Sequence, residues 1–277
     1  MDKRTGRPLP QIIAFGGGGV ADSWIDPRTF RYVLEATNVE RPRVALLTSA
    51  CGDDPRLVSR LHRIYQRLGA VTEQLETGKN TGSCSPEILS KHFDLVHVEG
   101  GNMAFLMERL IRSGMDRALH EAWINGVVLT GTSAGASCWF AQAMGASLFS
   151  FIESEQTIAV QAGLAFLPYS ICVHYDVSSG RRQAYHASIS AGLQSGFGLD
   201  QDAGLHFQGA NLKRIICRQP GSGASEVSQQ DKKVDENRLE GQSLGPLEWN
   251  LTLQRELHGL GQRLRRRFPK FQRPKDL

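Results

Sequence analysis

The chain has 277 residues, of which 40% are hydrophobic and 22% charged, and its formal net charge is +4. This composition is typical of a folded globular protein and excludes a chain that is disordered throughout. No apolar run approaches the ~18 residues that a membrane-spanning helix needs. Residues 220–277 hold 11 of the basic and 8 of the acidic residues, so the remainder is nearly neutral. The body of the protein therefore does not favour nucleic acid as a partner.

The cysteines and the first residues bear on the cellular compartment. The five cysteines are widely spaced and include no Cys-x-x-Cys pair. They predict reduced thiols rather than a disulfide framework or a zinc site. The charged N-terminal residues lead into a very short apolar run, which does not fit a signal peptide. We expect a cytoplasmic protein with neither a metal nor another cofactor.

The first 219 residues alternate short apolar runs with amphipathic stretches, a pattern typical of βα units around a mostly parallel sheet. Strands are predicted at Ile12–Phe15, Val44–Thr48, Val71–Leu75, Leu95–Val98 and Val127–Thr130. Helices are predicted at Thr29–Thr37, Arg56–Leu68, Pro86–His92 and Met103–Asn125, the last with a break near Gly114. Three of these strands run directly into glycine. Because ligands of such sheets bind beyond the carboxyl ends of strands, these turns outline one candidate site.

The pattern changes after the fifth strand. The predicted elements are a helix over Ala134–Met144, extended pieces near Thr157–Val160 and Ser170–Val173, a helix over Arg181–Leu193, and strands near Gly204–Phe207 and Leu212–Cys217. Residues 220–246 fit either a polar hairpin, Ser225–Val227 with Val234–Leu239, or a loose linker.

The end of the chain differs in composition from the rest. We expect one α/β domain over residues 1–241, then a linker and a basic helical extension over residues 242–277, with its helical pattern at Leu247–Leu264. The basic cluster Arg263–Lys275 suits a nucleic-acid or acidic lipid surface, but such tails are more often solvated extensions.

The strongest local motif is Gly-Thr-Ser-Ala-Gly at residues 131–135, directly after the fifth predicted strand. It matches G-x-S-x-G at a strand-to-helix junction, where a strained turn lifts the Ser133 hydroxyl out of the sheet. The Ala134 amide is expected in the first helical turn, where free N–H groups stabilise a developing oxyanion. The alternative is a tight turn in which Ser133 only caps the helix. The context favours a nucleophile.

A second oxyanion donor and a base are expected at neighbouring strand ends. Gly100 and Gly101 follow a strand, and glycine lets a backbone N–H approach a substrate closely, although a plain turn would use the same residues. His174 ends an apolar strand and can reach the rim on which Ser133 lies, but spacing alone leaves its role open. Five other histidines are expected to be surface or packed residues: His62, His92, His97, His120 and His206.

Taken together, these motifs resemble the peptidase E family of serine peptidases, which includes α-aspartyl dipeptidases and cyanophycinases. The resemblance extends over Gln11–Leu239 and rests on Ile13–Gly18, Val98–Asn102, Gly131–Ala136 and Val173–Tyr175 in that order. It implies a three-layer α/β sandwich with a mostly parallel, flavodoxin-like sheet. That fold is related to the class I glutamine amidotransferases and carries its nucleophile elbow after the fifth strand.

The resemblance also implies roles for individual residues. Ser133 becomes the nucleophile and His174 the base, with the Gly101 and Ala134 amides as oxyanion donors. The residue that matches the family's acid is Gln201, and the stretch after the serine helix has no acid either. Gln201 can orient His174 through its amide oxygen, as an asparagine does in papain-like sites. Otherwise Asp200 or Asp202 takes that place, or catalysis is weakened or lost.

Substrate-binding residues are expected around the same rim, at Gly100, Asn102, Arg181 and Arg182. Family members that cleave after aspartate need a cation for its carboxylate, which arginine can hold through two hydrogen bonds. The alternative for the two arginines is a solvated helix start. Gly16–Ala21 nominally matches G-x-G-x-x-A, but no acid closes the second strand, so a nucleotide site is not expected.

We therefore predict a serine hydrolase that cleaves small peptides by acyl transfer, with dipeptides of the Asp-X type as candidate substrates. One alternative is a weakened or inactive homologue that acts as a binding or scaffold protein. Another is a cyanophycinase-like peptidase of different specificity. The expected partner is a small peptide rather than a membrane, and the sequence leaves the oligomeric state open, a homodimer included.

Overall fold

The structure is a computed structural model, and it describes residues 9–19, 26–77, 86–146, 158–177, 179–231 and 233–244. Within these ranges no helix combines the length and the apolar character that crossing a bilayer requires. The strands are β1 (Gln11–Phe15), β2 (Arg43–Leu47), β3 (Val71–Gln74), β4 (Leu95–Val98), β5 (Val128–Thr132), β6 (Phe140–Ala146), β7 (Ile158–Ala162), β8 (Leu167–Val173), β9 (Gly196–Leu199), β10 (Ala203–Gln208), β11 (Asn211–Cys217), β12 (Ala224–Gln230), β13 (Lys233–Leu239) and β14 (Gln242–Ser243). The helices are α1 (Pro27–Ala36), α2 (Pro55–Arg67), α3 (Pro86–His92), α4 (Met103–Arg112), α5 (Met115–Ile124), α6 (Ala134–Ser137) and α7 (Ser179–Ser190).

The strands form two sheets. The larger has the order β14-β11-β10-β1-β5-β4-β2-β3, in which β1, β5, β4, β2 and β3 run parallel to one another. On its other side β1 pairs with β10 in the antiparallel direction. The smaller has the order β13-β12-β9-β8-β6-β7, with parallel pairing of β6, β8 and β9. The predicted α/β class with a mostly parallel sheet is confirmed, and the five predicted strands form its parallel part. The second sheet was not predicted.

The parallel strands are buried on both faces, as their continuous apolar sequences predict. One face of β1 presents Ile13 and Phe15 to a core shared with Phe30 of α1 and Tyr65 of α2. The opposite face packs against α3, α4 and α5 and against the smaller sheet. A separate hydrophobic cluster, which includes Met144, Cys172 and Tyr185, lies between the smaller sheet and α7. Since β4 and β5 are central strands of the larger sheet, their carboxyl ends are held rigidly, and the candidate site lies there.

The predicted helix over Ala134–Met144 is wrong. The helix ends after one turn at Ser137, and Phe140–Ala146 form β6, which pairs with β7 and β8. Alanine favours a helix, but propensity is a weak determinant that tertiary pairing overrides. Burial of Phe140, Ala143 and Met144 between the layers stabilises the strand.

The polar segment after β11 is ordered as the hairpin of β12 and β13 rather than as a loose linker. Its continuation, Gln242–Ser243, pairs with β11 at the edge of the larger sheet. The predicted helical pattern at Leu247–Leu264 and the basic cluster Arg263–Lys275 lie outside the described residues. The domain boundary near residue 242 therefore stays a prediction.

Candidate active site

The turn after β5 holds Ser133 in an unusual backbone conformation, with φ 52° and ψ −115°. Its N–H donates to the carbonyl oxygen of Phe15 at 3.0 Å, and α6 begins at the next residue. A residue other than glycine at positive φ costs of order 1–3 kcal/mol, and such strain persists only where the surroundings impose it. The strained turn presents the Ser133 side chain at the carboxyl end of the central strands.

His174 lies directly at this serine. It follows β8 and also has a positive φ, 55°. The distance from its Nε2 to Ser133 Oγ is 2.7 Å, a normal hydrogen bond. The histidine therefore reaches the serine from the smaller sheet, and the two sheets together build the site.

The other described histidines have different partners. The buried His97 contacts Tyr65 and Glu99, and His206 contacts Tyr32 and Gln11. His92 and His120 are exposed, as expected, and His62 is half-buried against Thr72. Of the histidines in the described ranges, only His174 is hydrogen-bonded to Ser133.

Gln201 occupies the third position of the site. Its Oε1 accepts a short hydrogen bond from Nδ1 of His174. Because Nδ1 then carries the proton, Nε2 is left as the acceptor for the Ser133 hydroxyl, the tautomer that a general base requires. Asp200 is buried and bonds Arg238 and the Gly223 N–H, while Asp202 lies 3.3 Å from Arg218. Neither aspartate is hydrogen-bonded to His174.

Charged side chains hold the backbone of Gln201 in place. Its N–H donates to Oδ1 of Asp176 at 2.7 Å, and its carbonyl oxygen accepts a short bond from the buried guanidinium of Arg218. Neither Asp176 nor Arg218 was singled out from the sequence. Asp176 comes two residues after His174 and could have been suspected, whereas Arg218 is joined to the site only by the fold.

The electrostatic surroundings make His174 a weak base. Burial is the main cause that lowers its pKa to about 4, and the nearby Arg181 and Arg218 charges lower it further. The Gln201 bond and the Asp176 carboxylate act in the opposite direction. Since Gln201 carries no charge, it orients the imidazole without strongly stabilising its protonated form.

The end of β4 runs against the serine turn. A Cβ added to Gly100 would lie 3.1 Å from the Ser133 Cβ and 3.0 Å from the Thr132 carbonyl oxygen. The Gly100–Gly101 segment is thus a neighbour of Ser133 and of Ala134, the first residue of α6. Asn102, expected to bind substrate, instead uses its side-chain oxygen to cap α4 through the Phe105 N–H at 2.9 Å.

The two arginines at the start of α7 lie in different surroundings. Arg181 donates to the Val173 carbonyl oxygen at 3.2 Å, and its charge acts on His174. The exposed Arg182 forms an ion pair with Glu236 at 2.7 Å, with its guanidinium over the Tyr175 ring. Arg181 is therefore the arginine that lies beside the Ser133–His174 pair.

Comparison with known proteins relates the chain to peptidases. Residues 12–215 match the family described as peptidase family S51. The protein named uncharacterized peptidase YgaJ, from Bacillus subtilis (strain 168), is 34% identical over 238 residues, which cover 86% of this chain and all of that protein.

Two solved structures are similar in fold. A crystal structure of a peptidase from an acI-B1 Actinobacterium gives a TM-score of 0.61 at 15% identity, covering 85% of this chain and 96% of that one. A putative peptidase E protein from Listeria monocytogenes EGD-e gives 0.54 at 17% identity, covering 74% and 97%.

Proposed function

Because this chain belongs to peptidase family S51, we propose that it hydrolyses short peptides through an acyl-enzyme formed on Ser133. The observation that carries this proposal is the 2.7 Å hydrogen bond between Ser133 Oγ and His174 Nε2, with Gln201 on the other ring nitrogen. A nucleophile, a base and an orienting group in this order form the general arrangement for nucleophilic catalysis.

In the first half of the proposed reaction, His174 Nε2 takes the Ser133 hydroxyl proton while Oγ bonds to the carbonyl carbon of the scissile peptide. The resulting tetrahedral intermediate carries an oxyanion. His174 then gives the proton to the departing amine nitrogen, and the carbon–nitrogen bond breaks. In the second half, water attacks the ester, its proton passes through His174 to Ser133 Oγ, and the free carboxylic acid leaves.

The oxyanion needs two donors fixed beside Ser133. The Ala134 N–H, in the first turn of α6, and the Gly101 N–H, in the segment packed against the serine turn, are the candidates. Backbone amides that are already in position stabilise the developing charge without reorganising. Removing one such donor typically costs about 10²–10³ in kcat.

We further propose that the substrate is a short peptide with an acidic residue on its acyl side. Arg181 supports this, because it brings a positive charge to the Ser133–His174 pair and a guanidinium can hold a carboxylate through two hydrogen bonds. Gly100 and the backbone of Asn102, whose side-chain oxygen is held by the cap of α4, would flank the bound peptide. Arg182 is a weaker candidate, since Glu236 already neutralises it.

A panel of free dipeptides with Asp, Glu, Ala or Lys in first position tests this function, with release of the second residue as the readout. We expect Asp-X to be cleaved fastest and Ser133→Ala to cleave none of the panel. A β-linked aspartyl-arginine peptide is assayed beside the panel, and cleavage of that peptide alone would favour a cyanophycinase-like specificity. Turnover that is unchanged in Ser133→Ala would contradict the proposal.

A second candidate function is a binding protein that retains the fold with little or no turnover. The neutral Gln201 and the low pKa of His174 favour it, because both weaken the base. This candidate predicts that Asp-X dipeptides bind in calorimetry while no product forms, even on long incubation.

Replacing Gln201 with glutamate should strengthen the base. A carboxylate at Nδ1 stabilises the imidazolium, so we expect Gln201→Glu to raise the pKa of His174 and to increase kcat/KM about 10- to 100-fold. The acid limb of the kcat/KM profile, which we expect near the His174 pKa of about 4 in the native protein, should move to higher pH. Rates measured from pH 3.5 to pH 9 check both effects.

The control for this variant is Gln66→Glu, which adds the same charge at an exposed position of α2. It should change neither the rate nor the acid limb. If Gln201→Glu were slower than the native protein and its acid limb stayed in place, the carboxylate would not be acting on His174.

Gly17 makes room for the side chain of Gln201. A Cβ at this position would lie 2.4–2.5 Å from the Gln201 amide atoms, closer than real contacts allow. We expect Gly17→Ala to push the amide from His174 and to lower kcat about tenfold, since a misplaced orienting group impairs proton transfer. Gly180→Ala, at an exposed helix position with open space around it, is the matched control and should keep full activity. An equal loss in both variants would contradict this steric argument.

A further inference from the structure

A buried carboxylate lies beside the serine turn and takes no part in the proton transfer described above. Glu99 directly follows β4 and is 1% exposed. Its Oε1 lies 3.0 Å from the Gly100 N–H nitrogen and 3.0 Å from Thr132 Oγ1, and both groups donate to it. Burying a carboxylate this deeply costs free energy unless hydrogen bonds compensate for the lost water, and these two donors supply such bonds.

The two donors belong to the two segments that supply the proposed oxyanion hole. Gly100 directly precedes Gly101, and Thr132 directly precedes Ser133 and Ala134. A single oxygen atom therefore joins the segment after β4 to the segment after β5. This junction connects the two segments whose backbones carry the proposed oxyanion amides of Gly101 and Ala134.

The second carboxylate oxygen is fixed from the opposite side. Oε2 lies 3.2 Å from Nε2 of His97, whose Nδ1 lies 2.9 Å from the Tyr65 hydroxyl. His97 and Tyr65 are themselves buried, and the Phe30 ring stacks on His97. This chain of side chains anchors Glu99 to α2 and leaves it one orientation.

The chain after β1 covers the carboxylate. A Cβ added to Gly19 would lie 2.1 Å from Glu99 Oε1 and 2.7 Å from Thr132 Oγ1, so only glycine fits there. Glu99 is thus shielded on this side, and its hydrogen bonds toward the serine turn go to Gly100 and Thr132.

We propose that Glu99 is a positioning residue that sets the geometry of the oxyanion hole, an inference that rests on the proposed acyl-transfer function. The important property is the acceptor geometry of Oε1, not the negative charge, because a charge near a developing oxyanion would oppose it. An oxyanion hole is effective when its two amides, here those proposed for Gly101 and Ala134, are held at a fixed separation before the reaction.

The test compares Glu99→Leu, Glu99→Gln and Thr132→Val with the native protein in kcat, KM and affinity for a peptide aldehyde of the preferred substrate sequence. The aldehyde forms a tetrahedral adduct and therefore reports the oxyanion hole. We expect Glu99→Leu to lower kcat and aldehyde affinity about 10²- to 10³-fold, with KM within threefold of its native value. Thr132→Val, which removes one donor at constant volume, should lose about tenfold in both.

Glu99→Gln keeps an acceptor for both donors and an amide that can meet His97, so it should recover most of the loss. Thr130→Val is the matched control, because Thr130 lies in the same strand, is equally buried and donates to the Ile13 carbonyl oxygen instead. It should lower the melting temperature without lowering kcat or aldehyde affinity.

Thr132→Val and Glu99→Gln keep the test decisive if Glu99→Leu does not fold. If the native protein is active and Thr132→Val leaves kcat unchanged, or if the variants differ from it only in KM, the role of Glu99 is overturned. The proposed function would then still stand. A native protein that neither cleaves peptides nor binds the aldehyde would overturn the proposed function, and the role of Glu99 with it.

Discussion

Ser133→Ala is expected to lower kcat/KM for the best peptide substrate about 10⁵- to 10⁶-fold, leaving only the contribution of binding and of the oxyanion donors. The size of the effect follows from removing the atom that, in the proposed mechanism, forms the acyl-enzyme. KM and peptide affinity should change little, because Oγ contributes to the reaction more than to ground-state binding. Steady-state rates on one peptide give kcat/KM and KM, and single-turnover rates at several concentrations of that peptide give its affinity.

Ser133→Gly provides the stability control for this prediction. The native residue sits at φ 52°, where glycine is unstrained, so this variant should be as inactive as the alanine variant yet melt at a higher temperature. Ser133→Ala keeps the strained conformation and should melt near the native temperature. If the glycine variant melted lower than the alanine variant, the turn would not be storing strain.

His174→Ala should cause a loss comparable to that of Ser133→Ala, about 10⁴- to 10⁶-fold in kcat/KM. Without the imidazole, no described group is hydrogen-bonded to Ser133 Oγ to take its proton. Because the two residues act as one unit, the double variant should be hardly slower than either single variant. Nearly multiplicative losses would show that Ser133 is activated by another group.

The same variant should change the dependence of stability on pH. The pKa of His174 is lower in the folded protein, about 4, than the ordinary value of 6.5. As pH falls below 6.5 the unfolded chain binds this proton and the folded protein does not, so the free energy of unfolding decreases until pH 4 is reached. His174→Ala should lose less stability between pH 6.5 and pH 4 than the native protein, which denaturant titrations at the two pH values would measure.

The parallel part of the sheet and the serine turn could be predicted from the sequence because their signals are local. Strands buried on both faces have continuous apolar runs, and the glycines around Ser133 mark a tight strand-to-helix turn. The smaller sheet could not be predicted in the same way. Its strand Gly196–Leu199 has glycine at two of four positions, and Phe140–Ala146 is rich in alanine, so both are stabilised by pairing rather than by propensity.

The residues that support the site could not be predicted from the sequence either, because their partners are distant in the chain. Asp176 contacts a residue 25 positions away in the chain, and Arg218 contacts one 17 positions away. Nothing in the local sequence of Arg218 distinguishes it from a surface arginine at the end of a strand. Glu99 was not singled out either, although it is a charged residue between an apolar strand and two glycines. Its burial and its hydrogen-bond partners Thr132 and His97, which a buried charge requires, are visible only in the fold.

The central claim, that Ser133 is a nucleophile activated by His174, is tested most directly by labelling the intact protein with a fluorophosphonate and locating the adduct by mass spectrometry. We predict one adduct per chain on the peptide containing Ser133, with no adduct in Ser133→Ala. In His174→Ala the labelling rate should fall at least 10²-fold, because loss of a positioned base typically costs that much. An adduct on another residue, or a His174→Ala protein that labels as fast as the native protein, would contradict the account.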